Sequence, residues 1–126
     1  MDNDCVIVGA NFAGLACAIA LARAGMRVTV LEKRSDAGEK LHTTGIIVKD
    51  AIDQVAILDR LPADLVRRVA GVRLYAPNMQ YVDLAAPGYY FLTTDTPEVM
   101  RWLAARAEGA GARIRYRALF RQANRL

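Results

Sequence analysis

The spacing of apolar residues changes character several times along the chain. Cys5-Val6-Ile7-Val8 is a continuous apolar run, rich in β-branched residues and ended by Gly9. It predicts a short strand buried on both faces of a parallel sheet. Ala13 to Ala24 is mostly Ala and Leu, with Leu15, Ile19 and Ala22 on one stripe, and predicts a helix. Gly25 suits the position just past the end of that helix. Arg27-Val28-Thr29-Val30-Leu31 predicts a second strand, ending at Glu32. Strand, tight turn, helix and strand within about 30 residues make a βαβ unit, whose crossover should be right-handed.

Ser35 to Thr44 is polar, contains Gly38 and reads as a loop. Lys49 to Leu58 and Pro62 to Val69 predict two short helices, the second with proline at its first position. Period two then takes over. Val72-Arg73-Leu74-Tyr75 and Tyr81-Val82-Asp83-Leu84, with Pro77-Asn78 between them, predict an antiparallel hairpin. Tyr89-Tyr90-Phe91-Leu92 suits a third strand. Thr96-Pro97-Glu98 has the composition of a helix start: a Thr cap, a proline, and an acid in the first turn. That helix should run to about Ala110 and close at Gly111. Arg113-Ile114-Arg115-Tyr116 alternates basic and apolar and predicts a last strand. No internal repeat or low-complexity tract appears.

The expected fold class is therefore α/β: a Rossmann-like βαβ fold with a parallel sheet and an antiparallel hairpin excursion. At 126 residues the chain suits a single domain, 1–126, and 54% hydrophobic against 24% charged residues is a globular balance. The net charge of +4 is unevenly spread: residues 101–126 hold seven arginines against Glu108 alone. A surplus that small does not by itself point to nucleic acid. The 18 residues from Cys5 to Ala22 carry no charge, and Ala18-Ile19-Ala20 imitates a signal-peptidase site. The flanking Asp2 and Asp4 are acidic where a signal needs positive charge, and glycines interrupt the run early. It reads as buried strand plus buried helix, with no transmembrane segment, so a cytoplasmic protein with Cys5 and Cys17 reduced is expected.

The chemistry concentrates in the first 34 residues. In Gly9-Ala10-Asn11-Phe12-Ala13-Gly14, Gly9 permits the sharp turn out of the strand and Gly14 lets the helix approach it closely. The helix start then offers N–H groups and a partial positive charge to a diphosphate. Glu32, at the end of the second strand, is placed to accept hydrogen bonds from a ribose diol. A carboxylate there disfavours a 2′-phosphate, so FAD or NAD fits better than NADP. Asn11 stands where the pattern has its second glycine. It tolerates left-handed backbone, and its side chain could donate to phosphate or obstruct it. A plain βαβ turn that binds nothing is the alternative.

On these residues the sequence resembles a known group. DCVIVGANFAGLACAIALARAGMRVTVLEKR (4–34), GEKLHTTGI (38–46) and TPEVMRWLAARAEGAGARI (96–114) resemble segments of FAD-dependent oxidoreductases of the geranylgeranyl-reductase and aromatic-hydroxylase superfamily. The resemblance implies FAD, with Gly9, Ala10, Asn11, Phe12, Ala13 and Gly14 at the pyrophosphate and Glu32 at the adenosine ribose. It implies Lys33 on the adenine side, Lys40 in a loop near the flavin, and a strand around Ala118-Leu119 passing the adenine. Thr96 stands where the family usually has arginine, and Met100 where it often has aspartate. Family members continue well past this length, so the resemblance implies an amino-terminal FAD-binding part, with 70–93 beginning a substrate subdomain. It also implies pairing with a further copy or a complementary chain, because a two-stranded hairpin is marginal alone.

Other residues suggest less. His42 lies in a polar loop and reads as solvated. Cys5 and Cys17 fall in elements expected to be buried and inert. Tyr75, Tyr81, Tyr89, Tyr90 and Phe91 could line an apolar substrate pocket, with sheet packing the simpler reading. The arginines of 101–125 read as solvated faces, without the aromatic platform that single-stranded nucleic acid needs. No Ser–His–Asp set, metal cluster or carboxylate pair stands out, so any redox chemistry would be the cofactor's. A non-catalytic degenerate dinucleotide fold is the competing expectation.

Overall fold

A computed structural model describes residues 3–122; Asp2 and Arg125, both used in the charge argument, lie outside them. The chain divides into two compact units. One joins the chain up to Leu41 to the chain from Thr96 onward, and the other is His42–Asp95.

In the first unit, β1 (Cys5–Val8), β2 (Val28–Leu31) and β8 (Arg113–Arg115) form a parallel sheet with β2 in the middle. β1 pairs from Cys5↔Val28 to Val8↔Leu31, and β8 from Thr29↔Arg113 to Leu31↔Arg115. Helix α1 (Phe12–Arg23) packs on β1 and β2, and α3 (Thr96–Gly109) packs on α1 and β8. Leu15, Ile19, Val30, Val99, Met100 and Leu103 are fully enclosed and form the core. α1 ends at Ala24, and Gly25 takes φ +84° immediately afterwards, the left-handed stop expected of glycine.

Two expectations for this unit need correction. β1 is not buried on both faces: Cys5 and Ile7 are half-buried, while Val6 and Val8 are 49% and 58% exposed. Among the described residues it is an edge strand, and β2, flanked on both sides, is the strand with the deep burial. Cys17 lies on the open side of α1 and is exposed, because the stripe turned inward is Gly14, Leu15, Ala18 and Ile19.

The second unit is antiparallel. β3 (Ile46–Val48) and β4 (Val66–Val69) flank β7 (Phe91–Thr94), and β5 (Gly71–Tyr75) pairs with β6 (Tyr81–Ala85). α2 covers only Lys49–Gln54 and is followed by a 3₁₀ turn at Ala56–Leu58. The expected helix over Pro62–Val69 is a single 3₁₀ turn, Ala63–Leu65, running into β4. Val66 to Val69 pairs with Thr94 to Phe91, and that distant partner overrides the local helix signal.

Only Ala70 separates β4 from β5, and residues 86–90 separate β6 from β7. The segment 66–94 is thus one long hairpin whose ladder breaks once. The chain reverses at 76–80, where Met79 takes φ +67° and its N–H donates to Ala76 O at 2.9 Å; Gly88, at φ +74°, lies in the turn between β6 and β7, where Tyr89 N–H donates to Ala86 O at 3.1 Å. The excursion opens a cleft of about 360 Å³ lined by Val69, Gly71, Leu84, Ala86, Tyr89 and Tyr90.

Candidate cofactor site at the first turn

Gly9 leaves β1 with φ +98°, a conformation that L side chains rarely adopt. Gly14 is required for another reason. A Cβ there would sit 2.0 Å from Gly9 O, so the helix approaches the strand closer than any side chain permits. Asn11 between them is extended, φ −94° and ψ −178°, and does not use the left-handed backbone open to it. Its Oδ1 accepts from Gly14 N–H at 2.8 Å, an N-cap on α1. The first backbone bond of the helix is Leu15 N–H to Asn11 O, 2.9 Å. The N–H groups of Phe12 and Ala13 therefore precede the helical ladder, and no acid stands in the first turn.

Glu32 follows β2 directly and is buried, 3% exposed. Its Oε2 accepts from Ala10 N–H at 2.8 Å, which ties the acid to the glycine turn. The same carboxylate is gripped by Arg34. Oε1 accepts from Arg34 N–H and Nε–H, both at 2.9 Å, and Oε2 accepts from Nη2 at 3.0 Å. Arg34 Nη1 also donates to Glu39 O at 2.9 Å. The Arg34 bonds, with Ala10 N–H, hold the Glu32 pKa down to about 2 against burial, and Glu32 in turn raises that of Arg34.

The chain after β8 closes over the same point. Glu32 N–H donates to Arg115 O, Ala118 N–H to Glu32 O, and Arg117 N–H to Arg34 O, each at 2.9 Å. Residues 116–122 form a turn and irregular chain, not the expected strand, because Arg117 adopts φ +55° and ends the ladder. Leu119, next to Ala118, is 64% exposed. Lys33 is exposed beside Glu32, and Lys40, at φ +46°, extends into solvent 3.5 Å from the Glu39 carboxylate. The loop carrying Lys40 is anchored on α3. A Cβ on Gly38 would meet Pro97 O at 2.7 Å, and Asp36 accepts from Arg101 Nε at 3.2 Å.

Glycines, helix start and acid thus converge on one point. Arg34 was not singled out from the sequence. His42 is exposed in the other unit. Thr96 and Met100, the other two departures, are buried at 9% and 1%, so both serve the core. Of the arginines, Arg101 pairs with Asp36 and Glu98, and Arg106 lies over the Trp102 ring.

The family model for FAD-dependent oxidoreductases matches residues 4–114. The chain belongs to this family. The chain is 31% identical over 112 residues to the geranylgeranyl diphosphate reductase of Rhodobacter capsulatus, covering 89% of this chain and 27% of that protein. Among solved structures it is similar to a geranylgeranyl bacteriochlorophyll reductase-like protein of Thermoplasma acidophilum. That match has TM-score 0.77 and 22% identity, over 91% of this chain and 30% of the other. It also superposes on a probable FAD-dependent monooxygenase of Pseudomonas aeruginosa, with TM-score 0.68 and 16% identity, over 91% and 33% of the two chains. This chain spans no more than a third of any of the three. The cofactor of this FAD-dependent family is FAD, and the residues at the turn fit it. Gly9 has open space where a side chain would stand, the helix start supplies donors, and the acid beside them suits a sugar hydroxyl. Among the described residues no helix is long and apolar enough to cross a membrane.

Proposed function

We propose that this chain is the FAD-binding portion of a flavin-dependent oxidoreductase of the reductase or monooxygenase type. The observation that carries the reading is the hydrogen bond from Ala10 N–H to Glu32 Oε2, 2.8 Å, which joins phosphate turn and ribose acid into one site. In this reading the diphosphate lies against the N–H groups of Phe12 and Ala13, within Gly9–Gly14. The adenosine ribose reaches Glu32, and Lys33, Lys40 and Leu119 border the bound cofactor. Bound FAD supplies hydride and electron transfer. The chain's own residues bind it, orient it, and set the charge around its phosphates.

In this proposal the redox chemistry is the cofactor's, and no side chain of 1–126 is assigned a catalytic role. Segment 70–93 begins the substrate region, and its uncovered strands pair with a further copy or a complementary chain. The reaction of the complete enzyme is reduction of a carbon–carbon double bond or oxygen-dependent hydroxylation.

Asn11→Asp tests the phosphate placement. Aspartate keeps the cap on Gly14 N–H, so thermal stability should hold. It adds a negative charge beside the diphosphate, and FAD affinity measured by flavin fluorescence quenching should fall roughly tenfold or more, the scale of one charge interaction near a surface. Unchanged affinity in a folded variant contradicts the placement.

One observation favours a second reading, a non-catalytic module that keeps the dinucleotide fold without its cofactor. Asn11 occupies Gly14 N–H and Arg34 occupies Glu32, so part of the site is satisfied from within. A yellow purified protein with a flavin spectrum supports the first reading. A colourless protein that leaves added FAD fluorescence unquenched supports the second.

A further inference from the structure

A carboxylate has about four lone-pair positions. On Glu32 all four are used: Ala10 N–H takes one, and Arg34 takes three through its backbone N–H, Nε and Nη2. The pair is enclosed, with side chains 4% and 16% exposed, so water competes little for these bonds. Arg34 is also fixed from outside, by Nη1 on Glu39 O. Glu39 is held in turn by Ser35, whose N–H and Oγ donate to its Oε2 at 2.8 and 2.5 Å. The guanidinium is thus a built counter-ion with a support of its own, not a long side chain resting on an acid by chance.

A sugar diol can reach Glu32 only by taking positions that Arg34 holds. The Ala10 bond belongs to the glycine turn and stays where it is. We propose that Arg34 is an internal competitor for the ribose acid, so that nucleotide binding exchanges guanidinium donors for sugar hydroxyls and Arg34 sets the affinity and the ribose selectivity of the site. This rests on the reading of Glu32 as the ribose acid. Two neutral hydroxyls replace charge-assisted donors in the exchange, so the wild-type site gains little from the diol. The backbone N–H of Arg34 keeps its bond to Oε1 and holds the acid in place while the side chain leaves. Arg34 is accordingly a specificity-determining residue that acts through Glu32.

The test uses the full chain with ADP and 2′-deoxy-ADP as probes, titrated by calorimetry, with circular dichroism as a folding check. Wild type should discriminate weakly between the two nucleotides. Arg34→Met removes the competing charge. ADP should then bind about tenfold tighter, the value of one hydrogen bond to a charged group, and the preference for ADP over the deoxy analogue should widen. Arg34→Lys keeps the counter-charge, loses the fork, and should move both quantities the same way by less, which preserves the test if the methionine variant does not fold. Parallel loss of both nucleotides shows Arg34 gripping phosphate and overturns the proposal, as does unchanged discrimination. Glu32→Ala separates the two levels. If it weakens ADP binding while the Arg34 variants change nothing, only the competitor role fails. If wild type and all variants bind neither nucleotide, the FAD reading fails with it.

Discussion

Glu32 carries four hydrogen bonds on two oxygens, and this governs its response to pH. Its pKa is lowered to about 2 from 4.5, chiefly by Arg34. A depressed carboxylate contributes stability that is complete above its unfolded pKa and is lost as pH falls through the folded one. The Glu32–Arg34 contribution should therefore be whole above about pH 4.5 and drain away toward pH 2. Glu32→Gln should cost about 1–3 kcal/mol at neutral pH and flatten this acid limb, measured by denaturant unfolding at several pH values. The comparison must be made within the chain, because Asp4, held to about 2 by Arg27, titrates over the same range. Equal acid limbs in the two proteins contradict the assignment. Gly14→Ala brings a methyl 2.0 Å from Gly9 O, and the loss should reach about 3 kcal/mol or more, read as a collapse of the melting temperature. The spacing of Gly9, Gly14 and Glu32 made the sharp turn, the close helix–strand approach and the nearness of the acid legible, because each follows from position in a βαβ unit. Asn11 was not legible, since an asparagine can turn left-handed or stay extended and cap, and only the backbone decides. Arg34 was missed because its role depends on the chain folding back on Glu32 just after the strand ends.

At the level of elements, β5 and β6 present two different faces. The register pairs Val72 with Leu84 and Leu74 with Val82, so one face is wholly aliphatic. These four residues are 38–52% exposed. The other face pairs Arg73 with Asp83 and sets Tyr75 against Tyr81 in a tilted contact, with ring centroids 5.7 Å apart. Only one face is therefore suited to solvent, and the aliphatic one favours association. In the proposed pairing through this face the wild-type chain should self-associate with rising concentration in light scattering, and Leu74→Lys combined with Val82→Lys should abolish this while leaving the unfolding free energy within about 0.5 kcal/mol. Association that persists in the double variant removes this face from the account. The alternation of Val72–Tyr75 and Tyr81–Leu84 made the hairpin readable, since period two needs no distant partner. β3 and β4 were not readable. Both are short and form by pairing with β7, and Ala63–Leu65 imitates a helix for one turn.

At the scale of the molecule, every residue assigned to the cofactor falls in the unit built from the two ends of the chain. Gly9 to Gly14, Glu32, Lys33 and Lys40 come from the first 41 residues, and Leu119 comes from the segment after Thr96. The sequence shows the βαβ unit plainly, yet it does not show that the unit is completed by a helix and strand more than sixty residues away. β8 pairs with β2 through only Arg113, Ile114 and Arg115, too short a stretch to announce its partner. The unit His42–Asp95 holds none of the assigned residues. The most direct test is an FAD titration of the ¹⁵N-labelled chain followed by amide NMR. The account expects the largest shifts at Ala10, Phe12, Ala13 and Gly14, with Glu32 to Arg34 and Leu119 responding. Saturating FAD that leaves residues 9–14 unmoved while the fold stays intact contradicts it.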